Sequence, residues 1–186
     1  MYRDAKTYGK EMLAIEKAFI FNNQDRLEFI SKLTNKLNKN TLILFSDVKN
    51  GYGKKIQEEL LKWNPNTFYI DGGIDSRDRD KFKETLESQD NVIIVASFAT
   101  FATGLDTKRL YHIIFAESTK AEIIVRQAIG RGMRKYAEKN KVYIWDLIDQ
   151  LDGYIVKHSK VREEIYKEQK FDVERIKHSL NKKATK

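Results

Sequence analysis

The stretch Gln127-Ala-Ile-Gly130-Arg131-Gly132-Met-Arg134 holds the side chains best suited to chemistry. Just ahead of it, Thr119-Lys-Ala-Glu122 has the spacing of a capping box, which predicts a helix beginning near Lys120. Gln127, Arg131 and Arg134 stand at i, i+4 and i+7, so a helix presents all three on one face. Two guanidiniums so placed suit the negative charge that develops on a phosphoryl group in transfer. Gly130 and Gly132 each cost a helix roughly 1 kcal/mol relative to alanine, which implies close approach by backbone or ligand. The plainer alternative is a solvated basic helix face, but that role calls for Lys or Ala where the glycines stand.

Two further stretches are candidates for phosphate or nucleic-acid contact. Ser97-Phe-Ala-Thr100-Phe-Ala-Thr103-Gly104-Leu-Asp106 follows an apolar run and is rich in small and hydroxylic residues. Such a strand-end loop can approach phosphates, with Asp106 as a ribose acceptor, although loops of this composition are common after strands. Asp71-Gly72-Gly73-Ile-Asp-Ser-Arg77-Asp-Arg79 carries a glycine pair; it reads as an ordinary strand-to-helix turn or as a contact to a nucleic-acid backbone. Tyr52, Trp63 and Phe98 are candidates for base stacking, with core packing the better reading for Trp63. The three histidines, His112, His158 and His178, are too widely spaced for a metal cluster, and no metal site is expected.

Positioning these residues requires an ordered scaffold, and the sequence describes one. Apolar runs rich in β-branched and aromatic residues recur at Ala18–Phe21, Thr41–Ser46, Thr67–Ile70, Asn91–Ser97, Tyr111–Ala116 and Lys141–Leu147. Between them lie helical patterns: Asp25–Leu37 with Leu27, Ile30, Leu33 and Leu37; Lys54–Trp63 with Ile56, Leu60 and Leu61; and Arg77–Leu86, opened by Asp75 or Ser76. Strands alternating with helices, and apolar along their length, predict an α/β fold with a parallel sheet covered on both faces. The loops after the strand carboxyl ends then gather along one edge, where ligand chemistry belongs. From Tyr154 onward the pattern becomes one long charged helix with an interrupted apolar face from Ile155 to Leu180. The expected division is a domain over residues 1–153 and a C-terminal helical extension over 154–186 that folds back on it.

Composition narrows the classes. The 186 residues include no cysteine, which excludes a disulfide scaffold, a thiolate metal site and a cysteine nucleophile. The longest apolar runs are far too short to span a bilayer, and charged residues in the first 20 positions exclude a signal-peptide core. These features predict a soluble, cytoplasmic chain. The net charge of +8 is concentrated: residues 120–141 hold seven basic side chains against two acidic ones, whereas residues 1–119 hold 18 against 17. A local anionic partner follows from that distribution.

Taken in order, these stretches resemble the second RecA-like domain of superfamily 2 helicases, and among them the phage UvsW-type recombination and repair helicases. Thr41-Leu-Ile-Leu-Phe-Ser46 resembles motif IV, Gly72-Gly73 with Arg79 the next glycine-to-arginine block, Ser97–Asp106 motif V, and Gln127–Arg134 a complete motif VI, Q-x-x-G-R-x-x-R. His158, Arg162 and Ile165-Tyr166 resemble positions of the C-terminal helix. In motif V, Ser97 stands seven residues before Gly104 where many relatives have a threonine six before, so the phosphate-contacting hydroxyl falls to Ser97 or Thr100.

The resemblance implies a RecA-like fold and half of an ATP-dependent DNA motor. Arg131 and Arg134 would be the arginine fingers, and Gln127, Gly104 and Asp106 would contact ATP. Ser46, Gly73, Ser97 and Thr100 would contact single-stranded or branched DNA. No G-x-x-x-x-G-K-[ST] occurs; Gly51-Tyr-Gly53-Lys54-Lys55 lacks the first glycine and has Lys55 in place of the hydroxyl. No D-E-x-H or D-E-A-D box occurs either, and Asp146 and Asp149 read as strand-end and turn residues. ATP and Mg2+ would therefore be held mainly by an N-terminal RecA-like domain that this sequence lacks, and the isolated chain would be inactive, working in the host cytoplasm if phage-encoded. A non-catalytic nucleic-acid-binding module of the same fold, or the equivalent domain of an RNA helicase, carries the same motifs.

Overall fold

Thr41–Phe45 and Ile93–Ser97 are buried at every position, as parallel strands covered on both faces must be. The computed structural model describes residues 5–72, 76–102, 109–117, 126, 129–130, 141–151 and 154–180. Its elements are α1 (Ala5–Phe21), α2 (Gln24–Leu37), β1 (Thr41–Phe45), α3 (Tyr52–Leu61), β2 (Thr67–Ile70), α4 (Ser76–Ser88), β3 (Ile93–Ser97), α5 (Phe98–Ala102), β4 (His112–Phe115), β5 (Tyr143–Asp146) and α6 (Tyr154–Glu168). The five strands pair in the order β2-β3-β1-β4-β5, all parallel.

Alternation along the strands divides the core in two. Leu42 and Leu44 of β1, Ile94 and Ala96 of β3, and Ile113 and Phe115 of β4 face Leu86 of α4, Phe98 and Phe101 of α5, and Ile165 and Tyr166 of α6. Ile43 and Phe45, Ile93 and Val95, and Ile114 face Ile20 and Phe21 of α1, Leu27 and Ile30 of α2, and Ile56 and Leu60 of α3. Asn40 pins the amino edge: its Nδ2 donates to the carbonyls of Leu86 and Gln89 at 2.9 and 3.1 Å, and its Oδ1 accepts from Val92 N–H at 3.0 Å. Asn23 caps α2 by accepting from Arg26 N–H at 3.0 Å, satisfying a donor that the first turn leaves open.

Two sequence expectations change. Ala18–Phe21 is the last turn of α1 rather than a strand. The helix turns Leu13, Ile20 and Phe21 toward the core and leaves Ile15 and Phe19 about 60% exposed, and a four-residue apolar run does not distinguish helix from strand by itself. The helix expected from Tyr154 through Leu180 ends at Glu168. Lys170 takes a left-handed conformation with φ 54°. Phe171 N–H donates to Tyr166 C=O and Lys170 N–H to Lys167 C=O, both at 3.0 Å, and the Phe171 ring stacks on Tyr166 at 6.2 Å. This is a Schellman stop with its apolar clasp, built on a lysine where glycine is usual.

Two outcomes follow. Lys170→Gly relieves the left-handed penalty and raises stability by about 1 kcal/mol, measured by denaturant unfolding. His112 lies at the start of β4, where burial pushes its imidazole down to about 4 from 6.5, and its Nδ1 accepts from Trp145 Nε1 at 3.1 Å. Between those two values the unfolded chain binds a proton that the native chain does not. This contribution to stability is therefore complete above about pH 6.5 and is lost as pH falls toward 4, by up to about 1.4 kcal/mol per pH unit. His112→Gln flattens that part of the unfolding free energy against pH.

Candidate functional site at the carboxyl edge of the sheet

Strand order decides where ligand chemistry can sit. The chain leaves β1 toward β2 on one side and leaves β4 toward β5 on the other, so the crevice between the carboxyl ends of β1 and β4 is a topological switch point. Ser46 and Asp47 leave β1 there, and Ala116 and Glu117 leave β4. The two exits are joined. Glu117 Oε2 accepts the N–H groups of Ser46 and Asp47 at 2.8 and 3.0 Å, and its Oε1 accepts from Lys17 Nζ of α1 at 2.5 Å.

Beside this crevice a guanidinium is buried. Arg26 is 3% exposed. Its Nε and Nη2 donate to the two carboxylate oxygens of Asp149 at 2.7 and 2.8 Å, and Nη2 also donates to Ala116 C=O at 2.9 Å. Nη1 donates to the Tyr52 hydroxyl, which in turn donates to Ala116 C=O at 3.2 Å. Burial pushes the Tyr52 phenol well up, against the opposing pull of Arg26, so the hydroxyl remains a donor. At the end of β5, Asp146 receives Arg162 in bidentate fashion at 2.8 and 2.7 Å and the Tyr166 hydroxyl at 2.9 Å. Asp146 and Asp149 are thus strand-end and turn residues with internal counter-ions, as expected.

The sequence candidates fall unevenly on this edge. Ser46 is exposed at the exit of β1. Ser97 ends β3 and pairs in register with Phe45; its hydroxyl meets that of Thr100 at 2.7 Å and accepts Thr100 N–H at 3.1 Å. Both are buried, so their hydroxyl groups are turned to one another. Gly73, Gly104, Asp106, Gln127, Arg131 and Arg134 lie outside the described residues, as does the Thr119–Glu122 capping box. Ile129 is buried in the core beside α6 elements and Arg126 pairs with Glu168 of α6. Gly130 is exposed, and among the described residues nothing lies within 4 Å of where its Cβ would be.

Two candidates for base stacking are corrected, and the third, Trp63, packs as its preferred reading had it. Tyr52 and Phe98 are 0% and 3% exposed and belong to the core. Trp63 packs on the α2–α3 side and donates Nε1–H to Ser31 Oγ at 2.7 Å. The partial likeness of Gly51–Lys55 to a phosphate loop also has a packing cause. Gly51 has φ +67°, and a Cβ on Gly53 would lie 2.2 Å from the Phe45 ring. Nor do the carboxylates at this edge fit magnesium: Glu117, Asp146 and Asp149 are each engaged by a cation, and among the described residues no group of three metal-ligating side chains converges.

A parallel sheet of this order, with its polar strand ends gathered at one edge, defines a class. The chain belongs to the helicase conserved C-terminal domain family, whose profile matches residues 25–136. It is similar to the ATP-dependent DNA helicase uvsW of Enterobacteria phage T4, at 31% identity in a match that covers 90% of this chain and 36% of the relative. The chain therefore spans about a third of that relative's length. The crystal structure of T4 UvsW superimposes with a TM-score of 0.69 and 28% identity, over 84% of this chain and 35% of that one. The fold is shared more distantly by the C-terminal part of the Fun30 ATPase domain (TM-score 0.58, 19% identity, 73% of this chain and 44% of that one). It is shared also by S. cerevisiae Dbp5 bound to RNA and ADP BeF3 (TM-score 0.54, 16% identity, 76% and 35%).

The contact of Gly53 with Phe45 sets a test of the packing explanation. Gly53→Ala drives a methyl into an aromatic ring and destabilises the fold by about 1–3 kcal/mol, read from the denaturation midpoint. A Phe45→Leu background, which vacates that space, reduces the penalty.

Proposed function

We propose that this chain is the C-terminal motor domain of an ATP-dependent DNA helicase or translocase acting in recombination, repair or replication-fork processing. One combination carries the reading. A helicase C-terminal domain gathers polar strand ends at its switch-point edge, and its sequence holds Gln127–Arg134 but no phosphate-binding loop. ATP then lies in a cleft shared with a P-loop-bearing N-terminal RecA-like domain, which also holds the magnesium ion. The chain's share of the chemistry is electrostatic and positional. Arg131 and Arg134 stabilise the charge of the transferring phosphoryl group. Gln127 orients them, Gly104 allows close approach, and Asp106 accepts from the ribose.

On the nucleic-acid side, Ser46, Gly73, Ser97 and Thr100 form one wall of a track that contacts the strand backbone without reading sequence. Ser46 is exposed for that role. Ser97 and Thr100 reach a phosphate by exchanging the hydrogen bond they share. In this reading the protein is cytoplasmic, within the host if a phage encodes it.

Arg131→Ala in the two-domain protein is expected to lower DNA-stimulated ATP turnover by about 10³–10⁵-fold while sparing DNA binding, measured by a coupled phosphate-release assay and by fluorescence anisotropy. The chain alone, folded by circular dichroism, is expected to show no turnover with or without single-stranded DNA. Normal turnover by Arg131→Ala overturns the finger assignment and leaves the basic segment 120–141 as a binding surface instead.

A further inference from the structure

Glu117 is an unusual residue for its place. It is 2% exposed, it is the second residue after β4, and it belongs to none of the motifs considered above. Its carboxylate reaches across the switch-point crevice and takes both consecutive N–H groups of the β1 exit, Ser46 and Asp47, on one oxygen. The other oxygen holds Lys17 of α1. The residue before it, Ala116, offers its carbonyl to Arg26 of α2 and to Tyr52 of α3. Asp47 in turn closes the next turn, accepting from Asn50 N–H at 3.1 Å and from Asn50 Nδ2 at 2.8 Å. The loop that presents Ser46 is therefore held from behind, through its backbone, by one buried carboxylate.

The arrangement separates two roles. With the Ser46 and Asp47 amides already occupied by Glu117, an incoming phosphate finds the exposed Ser46 side chain rather than those amides. Two charge-assisted hydrogen bonds from adjacent amides fix the direction in which that side chain leaves the sheet, and a contact group must be held by its supporting shell to be productive. We infer that Glu117 is a positioning residue for the nucleic-acid track, setting the β1 exit loop so that Ser46 meets the strand backbone. The inference rests on the reading of Ser46 as a DNA contact given under Proposed function. Glu117 itself touches no nucleic acid.

The test is binding of a labelled mixed-sequence single-stranded oligonucleotide to the full chain, by anisotropy across a salt series. Glu117→Gln keeps the shape of the side chain but removes the charge that organises the two amides. The expected result is binding weaker by about tenfold, with circular dichroism unchanged and with the slope of log K against log salt unchanged, because no phosphate contact by a cation is lost. Lys17→Met leaves both amide bonds in place and is expected to bind within about twofold of the parent. If Glu117→Gln does not fold, the doubly neutral Lys17→Met/Glu117→Gln chain carries the same expectation. Unchanged or tighter binding by the folded variant overturns the inference alone, since a purely structural residue changes stability only and a repelling charge strengthens binding when removed. A parent chain that fails to bind the oligonucleotide overturns both the inference and the DNA-contact reading of Ser46.

Discussion

Taking a guanidinium out of water is tolerated only where its donors find acceptors and its charge finds a counter-ion, and the carboxyl edge of this sheet is organised around Arg26 on those terms. Asp149, Ala116 and Tyr52 supply what it needs. Each comes from a different part of the chain: the turn after β5, the exit of β4 and the first residue of α3. Tyr52 is fixed further by stacking on Phe21 of α1 at 4.4 Å. Removing a single partner from such a pair leaves a buried charge uncompensated, at about 3–5 kcal/mol. Three helices and two strand exits are thus held in mutual position by one side chain.

Arg162 repeats the solution on the far side of β5. It is fully buried, it is clasped by Asp146, and the Tyr166 hydroxyl shares the same carboxylate. The helix that carries it contributes Ile165 and Tyr166 to one half of the core and Ile155 to the other. Helix α6 therefore wraps the β5 edge and joins the two apolar layers. Asp146 and Asp149, which by composition alone resemble a metal-binding strand end, are spent internally as counter-ions to arginines.

Much of this fold is legible in the sequence because its strands are apolar on both faces. Thr67–Ile70 emerges with its bounds unchanged, and the stripe Leu27, Ile30, Leu33 and Leu37 marks α2. Arg26 was missed as a buried residue because an isolated arginine at a helix start reads as solvated. The signal was its spacing, four and seven residues before Ile30 and Leu33, on the inward stripe. Glu117 gave a weaker sign, as the first charged residue after an apolar strand, and no rule of local spacing names partners 70 and 100 positions away. The positions of Ser46 and Ser97 at one edge follow from the parallel topology. The pairing of Ser97 with Thr100 follows from the tight turn into α5, which apolar periodicity does not resolve. The stop at Glu168 was hidden because a lysine occupies the place where glycine would have announced it.

The same long-range bonds dictate an order of events during synthesis. Lys17 meets a partner 100 residues downstream, Arg26 one 123 residues downstream, and Glu16 accepts from Ile155 N–H at a separation of 139. The central strand β1 pairs with β3 and β4, not with the strand that follows it. Until Glu117 and Asp149 have left the ribosome, Lys17 of α1 and Arg26 of α2 lack their carboxylate partners, and closing such loops carries an entropic cost that only the finished sheet offsets. The amino-terminal helices of this domain are made first and locked last, and the nascent chain must keep their apolar faces covered in the interval.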